Sequence, residues 1–77
     1  MVRVYADFRN LDAKLRIRLD HQRTIKDVVD QELELHPGDV VTLYDDSIPG
    51  VDGVVGLTEE GQWVVMVNWH QVGEVVV

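Results

Sequence analysis

The chain has 77 residues, with 14 acidic side chains against seven lysines and arginines and a formal net charge of −7. This length allows one domain, residues 1–77, and hides only ~60–65% of the surface that the unfolded chain exposes, while an apolar fraction of 45% argues against disorder. The absence of cysteine excludes a disulfide framework, a thiolate nucleophile and a cysteine-based zinc site, which fits a reducing cytoplasm.

Val2, Val4, Ala6 and Phe8 alternate with Arg3, Tyr5 and Asp7, the period-two mark of a half-buried strand over 2–8. Leu15, Ile17 and Leu19 alternate in the same way with charged neighbours, which predicts a second strand over 14–20. Asn10 and Asp12 favour a turn between them, so the two strands are expected to pair as a hairpin. One face of that hairpin would gather Arg3, Arg9, Lys14, Arg16 and Arg18, and like charges on facing strands repel. Glu32, Glu34 or the acidic C-terminal half is therefore expected to lie against them, from the same chain or a second copy.

Thr24-Ile-Lys-Asp27 has the form of a helix start, with Thr24 as N-cap and an acid three residues on. Ile25, Val28 and Val29 share one helical stripe. The helix is expected over 25–31, because Leu33 and Leu35 return to period two and Pro37-Gly38 forces a turn. Val40 to Tyr44 reads as a strand, and Val51–Leu57 with Gln62–Trp69 as a hairpin around Thr58-Glu-Glu-Gly61. In the last strand Trp63, Val65, Val67 and Trp69 point one way and Val64 and Met66 the other, so it should be central or covered on both faces. Gly73 to Val77 reads as a β edge open to pairing with another chain. The expected fold is mainly β: an N-terminal hairpin, one short helix, then antiparallel strands curling into a small open SH3-like barrel. The alternative is a β-grasp, which would show a helix from Thr24 to Leu35 lying across a mixed sheet.

All seven bases (Arg3, Arg9, Lys14, Arg16, Arg18, Arg23, Lys26) precede residue 27, giving that segment a net charge of +4, whereas residues 27–77 hold eleven acids and no base. Such a basic segment can serve an acidic partner or nucleic acid. The net acidity repels polyanions at long range, and pairing of the two halves within the domain is the simpler reading. Tyr5, Tyr44, Trp63 and Trp69 have the composition of a base-stacking platform, but no lysine or arginine lies near the tryptophans, whose phase with Val65 and Val67 marks core or interface anchors.

Asp45 and Asp46 are the sharpest acidic pair. Adjacent residues on a strand face opposite sides, and neither the pair nor Ser47, Asp52 and Gly53 keeps the spacing of a calcium loop, so a solvated turn is expected. His21, His36 and His70 lack the i, i+4 spacing of a helical metal site. Phosphate-binding glycine loops, a serine nucleophile elbow and an HExxH helix are absent as well. No catalytic, cofactor-binding or metal site is expected, and the chain does not read as an enzyme. Its longest apolar runs, Trp63 to Val67 and Val75 to Val77, fall far short of the ~20 residues that cross a bilayer, and its alternating start is unlike a signal peptide.

Ala6-Asp-Phe-Arg-Asn-Leu-Asp12, Leu15-Arg-Ile-Arg-Leu19, Thr24-Ile-Lys-Asp27, Leu35-His-Pro-Gly38, Thr42-Leu-Tyr-Asp-Asp46, Gly61-Gln-Trp-Val64 and Trp69 together resemble a family of short, uncharacterised bacterial proteins. The chain departs from that pattern in a shorter loop after Asp46 and in its valine tail. The resemblance implies no activity, cofactor or oligomeric state. Leu35 to Trp69 is also similar in rhythm to SH3-like barrels, an analogy of fold alone.

The functional expectation is a cytoplasmic, non-catalytic interaction module that associates with itself, or with a protein partner, through the edge at Val75, Val76 and Val77, with Trp63 and Trp69 as anchors. The alternative is nucleic-acid or ribosome association through Arg3, Arg16, Arg18 and Arg23, lost in high salt.

Overall fold

The computed structural model describes residues 2–76, with side chains described for residues 2–73. In chain order the elements are β1 (Arg3–Tyr5), β2 (Ile17–Arg18), α1 (Gln22–Asp30), β3 (Val40–Tyr44), β4 (Val51–Leu57), β5 (Trp63–Val67) and α2 (Trp69–Val76). The five strands form one mixed sheet, ordered β1-β3-β4-β5-β2 and curled into a half-barrel. The mainly-β, barrel-like architecture read from period two is the one found.

β3, β4 and β5 make an antiparallel meander, with Val55 paired to Val65 and Val41 to Gly53. Pro37 and Gly38 turn the chain into β3, with Gly38 at φ +93° and Asp39 N–H donating to His36 O at 3.1 Å. Val41, Leu43, Val51, Val55 and Val65 face inward with Val4, Ala6 and Ile17 to form the core. Gly53 also faces inward, and no larger residue fits there: a Cβ would lie 2.3 Å from Val65 Cγ1.

The N-terminal hairpin does not form as expected. β1 and β2 stand at opposite edges of the sheet, and β1 runs parallel to β3, so the sheet is not wholly antiparallel. A smaller hairpin lies further along, where Leu11 bridges Ile17, Arg18 N–H donates to Asn10 O and Asp12 N–H to Arg16 O, both at 2.9 Å. Alternation decides which side chains face inward but leaves the partner strand open. Here Asp12 decides locally: its Oδ1 accepts from the N–H groups of Lys14 and Arg16 at 2.9 Å each, closing a tight turn. The extended run of 2–8 is likewise cut short by a turn in which Asn10 N–H donates to Asp7 O at 3.0 Å.

α1 starts earlier than expected, and Thr24 is not its cap. His21 is the N-cap, its Nδ1 accepting from Arg23 N–H at 3.1 Å, while Thr24 is buried in the first turn and its hydroxyl donates to Tyr5 O at 2.6 Å. The helix ends in a Schellman motif: Glu32 takes φ 52°, Glu32 N–H donates to Val29 O and Leu33 N–H to Val28 O, both at 3.0 Å. It stops at Asp30, short of the reach to Leu35 that a β-grasp would show, although the sheet is mixed.

The last strand also ends early. Asn68 caps a helix, its Oδ1 accepting from His70 N–H at 3.0 Å and its carbonyl from Val72 N–H at 3.1 Å, so Trp69–Val76 is α2. Val72 enters the core from this helix, which packs on β4. Trp69 therefore leaves the face it was expected to share with Trp63. Val75 and Val76 lie on helical backbone, which presents no strand edge, and Val77 lies outside the described residues. Among the described residues no helix is long and apolar enough to cross a membrane.

Candidate interaction surfaces

Val2, Val4 and Ala6 turn their backbone groups toward β3, which leaves those of Arg3 and Tyr5 on the outer edge of β1. Side chains of α1 and its C-cap occupy that edge. Tyr5 N–H donates to Asp27 Oδ2 at 2.8 Å, Thr24 Oγ1 donates to Tyr5 O, and Gln31 Nε2 donates to Arg3 O at 2.8 Å. The Tyr44 hydroxyl donates to the same Asp27 oxygen at 2.8 Å. That bond, seconded by burial, raises the Tyr44 phenol above its ordinary pKa.

Over this edge lies a stacked cluster. The Arg23 guanidinium sits 3.8 Å above the Tyr5 ring and that of Arg3 4.8 Å above Tyr44, while the two tyrosines meet edge to face at 5.8 Å. Both arginines also reach the β3–β4 loop, Arg3 donating to Pro49 O at 2.7 Å and Arg23 pairing with Asp46 at 3.4 Å.

Of the four arginines singled out in the sequence, Arg3 and Arg23 are thus brought together, and Arg16 and Arg18 lie at the opposite edge. Arg16 Nε donates to Asp12 Oδ2 at 2.7 Å. Arg9 pairs with Asp7 at 3.5 Å and Lys26 with Asp30 one helical turn on. The expectation that Glu32, Glu34 or the C-terminal half would answer the hairpin bases is corrected for Arg9 and Arg16, whose acids lie two and four residues away, because ordering such near neighbours requires little chain entropy. Asp12 is held below the usual carboxylate range chiefly by the Arg16 N–H, and Asp7 chiefly by the Arg9 N–H. Lys14, Arg18, Glu59 and Glu60 all line one open cleft of about 650 Å³.

Asp45 and Asp46 part company. Asp45 Oδ1 accepts from the N–H groups of Ser47 at 2.7 Å and Ile48 at 2.6 Å, while Asp46 points outward to Arg23. His21 caps α1, His36 lies between Glu34 and Asp39, and His70 is on α2. Among the described residues no group of three or more His, Cys, Asp or Glu side chains is gathered to hold a metal ion.

The apolar surface lies elsewhere. A groove of about 390 Å³ separates Ile25, Val28 and Val29 of α1, with Leu33 and Leu35 beyond it, from Leu19 and Trp63. Val28, Leu33, Leu35 and Trp63 lean on the core, whereas Ile25 and Val29 remain 50% and 66% exposed. Trp63 is thus a wall of the groove. Trp69 serves the opposite edge, where its Nε1–H donates to Leu15 O at 3.1 Å and holds the hairpin turn. A second apolar row crosses the outer face, where register aligns the exposed Val40, Val54 and Met66.

Sequence reasoning placed Ile25, Val28 and Val29 on one stripe but not in a groove, and it passed over Leu15 as a strand residue. The signal available for Leu15 was Asp12 two residues before Lys14, a side chain suited to closing a turn. No protein-family model, curated protein or solved structure matches the chain.

Proposed function

We propose that the chain is a non-catalytic protein-interaction module that associates with itself. The observation that carries this reading is the apolar groove beside α1, with Ile25 and Val29 half or more exposed around Trp63. Contiguous apolar surface open to water marks an interface more often than a resting surface. The contact belongs to this groove, since α1 covers the β1 edge and Val75 and Val76 lie on helical backbone. The lack of cysteine suits a cytoplasmic setting, and the resemblance to short bacterial proteins suits a bacterial one.

Light scattering on the eluting protein, from low to high micromolar concentration, tests the reading. A mass that rises with concentration supports it, and a monomer throughout ends it. One observation favours a second reading, nucleic-acid binding: guanidinium groups stack on tyrosines at Arg3 and Arg23. It predicts binding of a single-stranded oligonucleotide at low salt that is lost when both arginines are changed to glutamine. No binding at low salt removes it.

A further inference from the structure

Leu15 is an apolar side chain 60% exposed at the tip of the 12–16 turn, in the left-handed region at φ 61°, where a leucine is uncommon. It is also firmly held. Leu15 N–H donates to Asp12 O at 3.1 Å, its carbonyl accepts from Trp69, and Asp12 Oδ1 gathers the amides on either side. A strained, rigid backbone that presents an apolar side chain to water points toward function. Lys14 precedes Leu15, and Arg16 and Arg18 follow it, with Arg16 already paired to Asp12.

The groove has the complementary character. It is apolar within, and Glu34 lines it. Leu19 lines the groove, whereas no residue of the 12–16 turn does. The tip therefore does not fill the groove of its own chain. We propose that the Leu15 tip of one copy seats in the α1–Trp63 groove of a second copy, Lys14 and Arg18 facing Glu34, so that copies join head to tail. This rests on the self-association reading and names its two surfaces. Because the tip is already ordered, binding sacrifices little conformational freedom.

Four versions of the 77-residue chain, the wild type and three variants, separate the outcomes by light scattering and sedimentation. Leu15→Asn removes the apolar tip and relieves the left-handed backbone, so thermal stability holds or rises while association weakens about ten-fold or more. Val29→Asp, at an exposed groove position, weakens association to the same extent. Val54→Lys, on the outer apolar row, leaves it unchanged. Mixing the first two variants restores a dimer and nothing larger, because each keeps the surface that the other lacks. A wild-type protein that stays monomeric overturns self-association itself. Association that survives Leu15→Asn and Val29→Asp, is abolished by Val54→Lys, or is not rescued by mixing overturns this pairing and leaves the broader reading standing.

Discussion

The two edges of the sheet are closed by different means. At β1 a helix lies alongside, and side chains of the helix and its C-cap take three of the outward backbone groups: Asp27 takes Tyr5 N–H, Thr24 donates to Tyr5 O, and Gln31 donates to Arg3 O. At β2 the chain folds back on itself, Asn10 to Asp12 pairing with Arg16 to Arg18, and Asp12 locks the turn. One closure is tertiary and the other local. Both prevent strand addition, which is how natural sheets avoid indiscriminate pairing. The contrast teaches where a partner is to be sought: on side-chain surfaces such as the groove and the Leu15 tip, not along a backbone edge.

A lesion at the sheet centre, away from both edges, sets the scale. Gly53→Val forces a side chain into the space that Val65 Cγ1 fills and should destabilise by about 3 kcal/mol, read as a lower urea midpoint. Asp27→Ala opens the tertiary edge, leaving Tyr5 N–H and the Tyr44 hydroxyl without their acceptor, and a loss of about 1–3 kcal/mol is expected. The same variant should gain concentration-dependent aggregation, because it bares the β1 edge. Thr24→Val removes one buried bond at that edge and should lose about 1 kcal/mol. Asp12→Ala at the local edge should shift the urea midpoint less than Asp27→Ala does, and without aggregation. Equal shifts would show that the two closures do not differ in kind.

Opposite ends of the pH scale report on the two edges, with the smallest expected effects. The folded Tyr44 phenol titrates above the unfolded value of about 10, so its bond to Asp27 stabilises fully below that pH and is lost as pH rises through the folded value. Tyr44→Phe should flatten the alkaline limb of a stability profile. The folded Asp12 carboxyl titrates below the unfolded value of about 3.9, so its contribution is present above that pH and is lost as pH falls through the folded value. Asp12→Asn should flatten the acid limb and leave the alkaline one unchanged.

β3 and β4 were legible residue for residue, as was the glycine turn before β5, because alternation and turn chemistry are local signals. Asp45 was legible as turn punctuation for the same reason. The pairing of β1 was not, since Val4 and Ala6 meet the core equally well beside β2 or beside β3. Trp69 misled because its phase matches Trp63, and only the Asn68 cap directly after Val67 tells strand from helix. The groove was half legible: Ile25, Val28 and Val29 marked an apolar stripe, but how far that stripe is covered depends on where Leu19 and Trp63 come to rest.

By itself the sequence determined the β character of the chain, its turns and the bounds of β3 and β4, because these depend on residues within a few positions of one another. The tertiary structure alone decided that β1 lies beside β3, that Asp27 serves an edge and not a cap, and that an apolar groove is left open. Those outcomes hang on contacts between segments distant in the chain, where several arrangements satisfy the same local pattern and only packing selects among them.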